Sequence, residues 1–234
     1  MSTVEAPFRN FAPGSQPPND SPDYRSTILR HPTKKLIRIP QTVTELNGPR
    51  FSPEQFPPTD NIAVNNGKEA LGERIIVAGH VRDEDGRPVA NTMVEIWQAN
   101  AAGRYNHDRD QHDAPLDPDF AGIGRVFTDE TGAYRFITIK PGSYPWGNHY
   151  NAWRPNHIHF SLFGPGYATR LITQMYFPGD PLLALDPIFL ATPDAAARDR
   201  LIGKFDLDTG TPFWALGYRF DIVLRGRDAT PMEP

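Results

Sequence analysis

Along residues 73–224, apolar and polar positions fall into short stretches with a period of two, each bounded by a turn signal. Residues 73–82 (ERIIVAGHVR) are rich in β-branched side chains and run into Asp83-Glu84-Asp85-Gly86, a tight-turn sequence. Residues 92–98 (TMVEIWQ) form a second stretch, and residues 133–139 a third, bracketed by Asp129-Glu130-Thr131-Gly132 and Pro141-Gly142. Residues 157–163 (HIHFSLF), 170–177 (RLITQMYF) and 213–224 (FWALGYRFDIVL) complete the series. Strands of this length with hairpin-type turns predict an all-β fold, an antiparallel β-sandwich core with long loops. One short helix is predicted over 193–202, where Thr192 stands as a cap before Asp194 and an Ala-rich turn. Residues 100–125 are too long for a simple connector, and loops of that size in compact domains tend to carry function.

The first 70 residues break the pattern. Prolines recur from Pro7 to Pro58, and the apolar runs are too short to close a core. Leu36-Ile37-Arg38-Ile39 and the aromatics Phe8, Phe11, Tyr24, Phe51 and Phe56 read as surface meant to be buried against something else. The expected organisation is therefore an extended Pro-rich N-terminal arm over 1–70, packing on the body or on a partner chain. A catalytic β-sandwich domain is expected over 71–234.

Composition sharpens this picture. The 25 prolines and 19 glycines leave room for few long helices. With no cysteine, disulfides, thiolate catalysis and Cys-based zinc or iron–sulfur sites are excluded. Any metal must be held by His, Tyr, Asp, Glu, backbone or water. A formal net charge of −4 without a basic run argues against nucleic acid as a partner. No apolar stretch reaches the length needed to cross a bilayer, so no membrane partner is expected. The sequence MSTVEAPFRN has no charged-then-apolar leader, and a cytoplasmic location is expected.

The chemistry concentrates in residues 141–163. On a strand, His157, His159 and Ser161 share one face, and Ile158, Phe160 and Leu162 share the other. Two imidazoles offered by one rigid element suit a single metal ion, although a lone His-x-His also fits two solvated histidines. Upstream lie Tyr144 and Trp146, on either side of Pro145, and Arg154. There is no phosphate-cradling loop, no strand-borne G-x-G-x-x-G and no G-x-S-x-G. No Glu follows at cupin spacing, and Ser161 stands where hydrolytic zinc sandwiches place Asp. Asp180 and Asp221 lack a context that marks the carboxylate of a ferrous facial triad. Tyrosine remains. A phenol titrates near 10 and ligates at neutral pH only where a strong Lewis acid displaces its proton. Ferric iron does this, and two phenolates cancel two of its three charges.

Residues from about 72 to 227 resemble an intradiol ring-cleaving dioxygenase, in the branch built of α and β chains. The resemblance is carried by GERIIVAG, VEIWQANAAGRYNH, APLDPDFAGIGR, IKPGSYPW, WRPNHIHF, LITQMYF, GDPL and YRFDIVLRG, and continues into the arm at SPDYRSTI. It implies one Fe(III) per chain, with Tyr105, Tyr144, His157 and His159 as ligands. It also implies an α subunit of the same enzyme as partner, in an oligomer of αβ units, the α chain lacking the iron ligands. The implied substrates are protocatechuate and O₂, the ring being opened between its two hydroxylated carbons to 3-carboxy-cis,cis-muconate. Tyr144 leaves as a phenol when the catechol binds, and Arg154 steadies charge on the ring carbon that meets O₂. Gln174 and Trp146 line the pocket, and Tyr24 lies at the substrate carboxylate. His107, His149 and Tyr150 are expected to be solvated. Two alternatives stay open. A catechol or hydroxyquinol 1,2-dioxygenase of the same superfamily would carry a helical N-terminal segment, for which this arm has no periodicity. A non-catalytic transthyretin-like binding module would account for VRDEDGRPVANTMVEIW but leave the Tyr/His set unexplained.

Overall fold

The computed structural model describes residues 10–37, 51–163 and 170–234. A small ribbon of β1 (Val64–Asn65) and β2 (Lys68–Glu69) leads into β3 (Arg74–Arg82), the axis of the larger sheet. The chain turns at Gly86 and crosses to the second sheet as β4 (Met93–Trp97) and β5 (Ile123–Phe127), then returns as β6 (Ala133–Ile139) beside β3. A separate ribbon of β7 (Tyr144–Trp146) and β8 (Ala152–Arg154) precedes β9 (His157–Phe163) and β10 (Arg170–Tyr176). Finally β11 (Lys204–Phe205), β12 (Leu216–Arg219) and β13 (Ile222–Val223) dock on the larger sheet.

The smaller sheet has the order β10-β9-β4-β5 and is antiparallel throughout. In the larger sheet β6 pairs antiparallel with β3, but β12 and β13 run parallel to it. Parallel pairing needs a long crossover, and residues 177–215, with the short helices Pro187–Leu190 and Ala195–Asp199, supply one. The core lies between the sheets. Ile75, Val77, Val81 and Phe136 meet Val94, Ile96, Ile158, Phe160 and Leu162, all essentially inaccessible to solvent. Each such side chain contributes about 1.5–3 kcal/mol by leaving water. Phe160 sits at the centre, 5.1 Å from Phe220 and 5.9 Å from Phe136 between ring centroids.

The stretch 213–224, read as one strand, is broken at Phe220 and Asp221. Phe220 N donates to Ala78 O, while its own carbonyl accepts from the buried Tyr134 hydroxyl. That carbonyl is thereby lost to the ladder, and Asp221 caps the break by accepting from His80 N at 2.9 Å. At the same point Gly79 allows the close approach, because a Cβ there would lie 1.9 Å from Phe220 O and force the two segments apart. Three local expectations are corrected. The helix near 195 is capped by Asp194, which accepts from Ala197 N at 3.0 Å, whereas Thr192 is buried. Residues 123–125 belong to β5 rather than to the long loop. Helices Ser26–Arg30 and Pro187–Leu190 are additional, the second stabilised by an Asp186 cap and a proline in its first turn.

The described part of the arm touches the body at several points. Asn148 accepts from Arg25 N at 2.9 Å and donates to Asp23 O at 2.6 Å, Asp194 N donates to Gly14 O, and Ile62 enters the main core. Phe51 lies 5.0 Å from Phe163, ring to ring. Leu36 and Ile37 are exposed on the body of this chain, and Phe8, Arg38 and Ile39 lie outside the described residues. Among the described residues no helix is long and apolar enough to cross a membrane.

Gly79→Ala is expected to cost about 2–3 kcal/mol through overpacking against the Phe220 carbonyl. The measurement is the urea midpoint at unchanged m-value, and an unshifted midpoint would show that β3 and the 219–221 segment can separate freely.

Candidate metal centre

Strand register gathers the chemistry onto one face of the smaller sheet. Tyr176 lies opposite His157, and both Gln174 and Trp97 lie opposite His159 on its two neighbouring strands. The other face of β9 is the core row of Ile158, Phe160 and Leu162, so both faces of this strand are buried. Trp97 stacks on His159 with ring centroids 4.7 Å apart and planes 5° from parallel, which fixes the imidazole plane.

Each imidazole is oriented through its Nδ1. His157 Nδ1 lies 2.7 Å from Pro155 O, an acceptor, so this nitrogen carries the proton and Nε2 presents a lone pair. His159 Nδ1 lies 3.2 Å from Glu233 Oε2, with the same consequence. Burial, with the nearby Arg154 charge, pushes His157 well toward the neutral form, and burial pushes His159 the same way while Glu233 partly opposes the shift there. The two Nε2 atoms nevertheless face each other at 3.2 Å. Two buried lone pairs at that distance repel unless a cation lies between them. Metal–nitrogen bonds of about 2.0–2.1 Å would span this separation at an angle of about 100°.

The phenols arrive from two other segments. In the long loop Asn100 Oδ1 accepts from Ala102 N and Arg104 N, and Asp110 Oδ2 accepts from Tyr105 N at 2.7 Å. Gly103, with φ +79°, lets this loop lie against the segment entering β7, since a Cβ there would sit 2.0 Å from Ser143 O. Tyr105 is thereby set edge-on to Tyr144, 5.3 Å between centroids, and 6.4 Å from His159. Tyr144 is 5.6 Å from His157. Burial first, and Tyr144 second, push the Tyr105 phenol well above its usual range, and its buried Oη faces the Tyr144 hydroxyl without a hydrogen bond of ordinary geometry. An unsatisfied buried hydroxyl costs about 1–3 kcal/mol. A metal ion answers both anomalies, the orphaned oxygen and the opposed nitrogens. Among the described residues no three His, Asp or Glu side chains form a metal-holding group, and Tyr105 and Tyr144 are phenols packed beside the two imidazoles.

Arg154 pairs with Tyr144 across the β7–β8 ribbon, its Nη1 3.5 Å from Tyr144 Oη. The guanidinium is buried. Asp186 accepts from Nε at 3.2 Å and Nη2 at 3.1 Å, and Nη2 also donates to Gln174 Oε1 at 2.6 Å and Tyr176 Oη at 3.0 Å. Burial opposes its charge, but the surrounding oxygens of Tyr176 and Asp186 outweigh that and hold it firmly protonated. The Tyr144 phenol is raised by burial, with Arg154 pulling the other way.

The structure thus brings Tyr105, Tyr144, His157 and His159 into one cluster, with Arg154 and Gln174 adjoining. Tyr105, Tyr144, Trp97 and Trp146 line a cavity of about 680 Å³ beside the cluster, room enough for a small aromatic ligand. Tyr24 packs on Trp146 at 5.5 Å between centroids and reaches the cavity only through it. His107, His149 and Tyr150 are exposed. Asp180 and Asp221 serve as caps for backbone N–H groups. Four residues of the site escaped the sequence reading: Trp97, Tyr176, Asp186 and Glu233. Alternation along β10 from Gln174 is the signal that could have found Tyr176, and the Asp-Pro step is one that could have found Asp186 as a cap. Nothing marked Glu233.

Comparison with known proteins gives a consistent set of relatives. A family model described as Dioxygenase matches residues 46–226, and one described as Protocatechuate 3,4-dioxygenase beta subunit N terminal matches residues 11–42. The chain is 63% identical to the protocatechuate 3,4-dioxygenase beta chain of Burkholderia cepacia, over 94% of each. It is 32% identical to the protocatechuate 3,4-dioxygenase alpha chain from the same organism, over 83% of this chain and 98% of that one. The solved hydroxyquinol 1,2-dioxygenase of Pseudomonas putida DLL-E4 superposes with a TM-score of 0.55 at 25% identity, covering 89% of this chain and 71% of that one.

Removing one partner of the buried Arg154–Asp186 pair leaves an uncompensated charge. Asp186→Ala is expected to cost about 3–5 kcal/mol, and the double replacement of both residues by Leu much less. Denaturant titration of the three proteins checks this; an Asp186→Ala variant within about 0.5 kcal/mol of the parent would contradict it.

Proposed function

Since the chain belongs to the intradiol ring-cleaving dioxygenases, we infer that it is the iron-bearing β-type chain of an enzyme acting on protocatechuate. Both atoms of O₂ enter the ring between its two hydroxylated carbons, giving 3-carboxy-cis,cis-muconate. The observation that carries the site reading is the pair of Nε2 lone pairs held 3.2 Å apart beside the orphaned Tyr105 oxygen.

The family uses non-haem iron. We assign one Fe(III) per chain, held by Tyr105 Oη, Tyr144 Oη, His157 Nε2 and His159 Nε2. When bound, ferric iron draws electron density from a catechol ring, so that a ring carbon becomes the partner of O₂. The chain's own residues do the rest. Tyr144 Oη takes a catechol proton and turns toward Arg154 Nη1, a partner that Tyr105 does not have. Arg154 places a fixed, buried positive charge where negative charge develops on the ring, and Gln174 and Asp186 hold the guanidinium in place. Trp146 walls the cavity, and Tyr24, packed behind it, sets the arm near the region that takes the substrate carboxylate.

An α chain is the partner, in an oligomer of αβ units. We assign residues 1–70 to an arm that packs on the body or on that partner, residues 71–234 to the catalytic sandwich, and the enzyme to the cytoplasm.

The purified protein is expected to be red-brown from phenolate-to-iron charge transfer, and a colourless preparation with full iron content would rule the ligand set out. Tyr144→Phe should retain iron but take up protocatechuate slowly in stopped-flow absorbance. His157→Ala should lose its iron by metal analysis, and an unimpaired iron content would contradict its assignment.

A further inference from the structure

We propose that Glu233 is the positioning residue for His159, delivered to the imidazole by a strapped segment, residues 229–234, that crosses β10. This rests on the iron-ligand reading above. Glu233 Oε2 lies 3.2 Å from His159 Nδ1, and the two side chains meet from positions 74 residues apart.

The segment is held far more tightly than a peripheral stretch requires. Val223 and Thr230 exchange two hydrogen bonds, Thr230 N to Val223 O at 2.9 Å and Val223 N to Thr230 Oγ1 at 3.0 Å. Thr173 Oγ1, itself buried on β10, donates to Pro231 O at 2.7 Å. Met232 N donates to Gln16 Oε1 at 2.8 Å, and Glu233 N donates to Ile172 O at 2.9 Å. Arg30 of the arm donates to Pro234 O at 2.7 Å. Each tie fixes backbone on one side or the other of a single carboxylate, and that carboxylate points at a candidate metal ligand.

The two histidines are consequently unlike. His157 gives its Nδ1 proton to a neutral backbone carbonyl two residues away, whereas His159 gives its own to an anion. A carboxylate on Nδ1–H makes the ring a stronger donor at Nε2, and losing such a partner typically costs 10–100-fold in metal affinity. Together with the Trp97 stack, which fixes the ring plane, Glu233 fixes the ring's rotation within that plane. The negative charge it adds beside the site favours the trivalent over the divalent ion.

The test uses the full chain assembled with its α partner and compares Glu233→Gln, Glu233→Ala and Thr173→Val with the parent. Glu233→Gln keeps an acceptor for Nδ1–H without the charge. It should hold iron near the parent level, raise the Fe(III)/Fe(II) midpoint potential and move the charge-transfer band to longer wavelength. Glu233→Ala should release iron to a competing chelator about 10–100-fold more readily, and Thr173→Val should show part of that loss. A parent band that the Glu233 variants leave unmoved, with unchanged potential and chelator competition, would overturn this inference alone. A parent protein with no such band would overturn the ligand reading and this inference with it.

Discussion

Two electron-rich nitrogens held face to face, out of water, are the constraint around which this molecule is arranged. The 3.2 Å approach of His157 and His159 is unfavourable in isolation, and it persists because neither ring is free to turn. A carbonyl locks one, a carboxylate and a tryptophan lock the other, and the strand beneath them is buried on both faces. The sandwich core supplies the rigidity. Ile158, Phe160 and Leu162 anchor the strand from behind with several kcal/mol of apolar burial, so the repulsion is carried by packing rather than relieved by motion.

Charge is balanced around that pair with equal care. Arg154 carries a buried positive charge, and Asp186 cancels it within the same network of oxygens. Buried ion pairs contribute little net stability, because desolvation offsets attraction. This pair is better understood as a fixed dipole aimed at the Tyr144 oxygen. Glu233 stands against His159, and the Arg154 charge reaches it as well. The cluster therefore meets both a cationic group, from which developing negative charge can be steadied, and an anionic support for His159. Tyr144 and Tyr105 differ accordingly: the first has Arg154 within reach, whereas the second faces only the Tyr144 hydroxyl and the histidines.

Much of this was legible in the residues. Period-two alternation marked the strands, and for β9 it also marked which face carries the imidazoles. Recognisable motifs marked Tyr105, Tyr144, Arg154 and Gln174. What could not be read depends on pairing between distant segments. The stack of Trp97 on His159 follows from β4 lying beside β9, and periodicity within one strand says nothing about which strand is its neighbour. Asp186 belongs to the excursion after β10, where it caps the helix Pro187–Leu190, and its pairing with Arg154 links segments 32 residues apart. The break at Phe220 arises because a carbonyl is diverted to Tyr134, a contact between residues 86 apart in sequence. Glu233 sits in a proline-flanked stretch with no pattern at all, and its role exists only once the segment is laid across β10.

The central claim is that four atoms, His157 Nε2, His159 Nε2, Tyr105 Oη and Tyr144 Oη, share one ferric ion. Anomalous diffraction from crystals of the iron-loaded protein, collected across the iron absorption edge, tests it most directly. The account predicts a single strong peak per chain at bonding distance, about 2 Å, from all four atoms. A peak bound to carboxylates elsewhere, or one that touches the imidazoles but neither phenol, would contradict it.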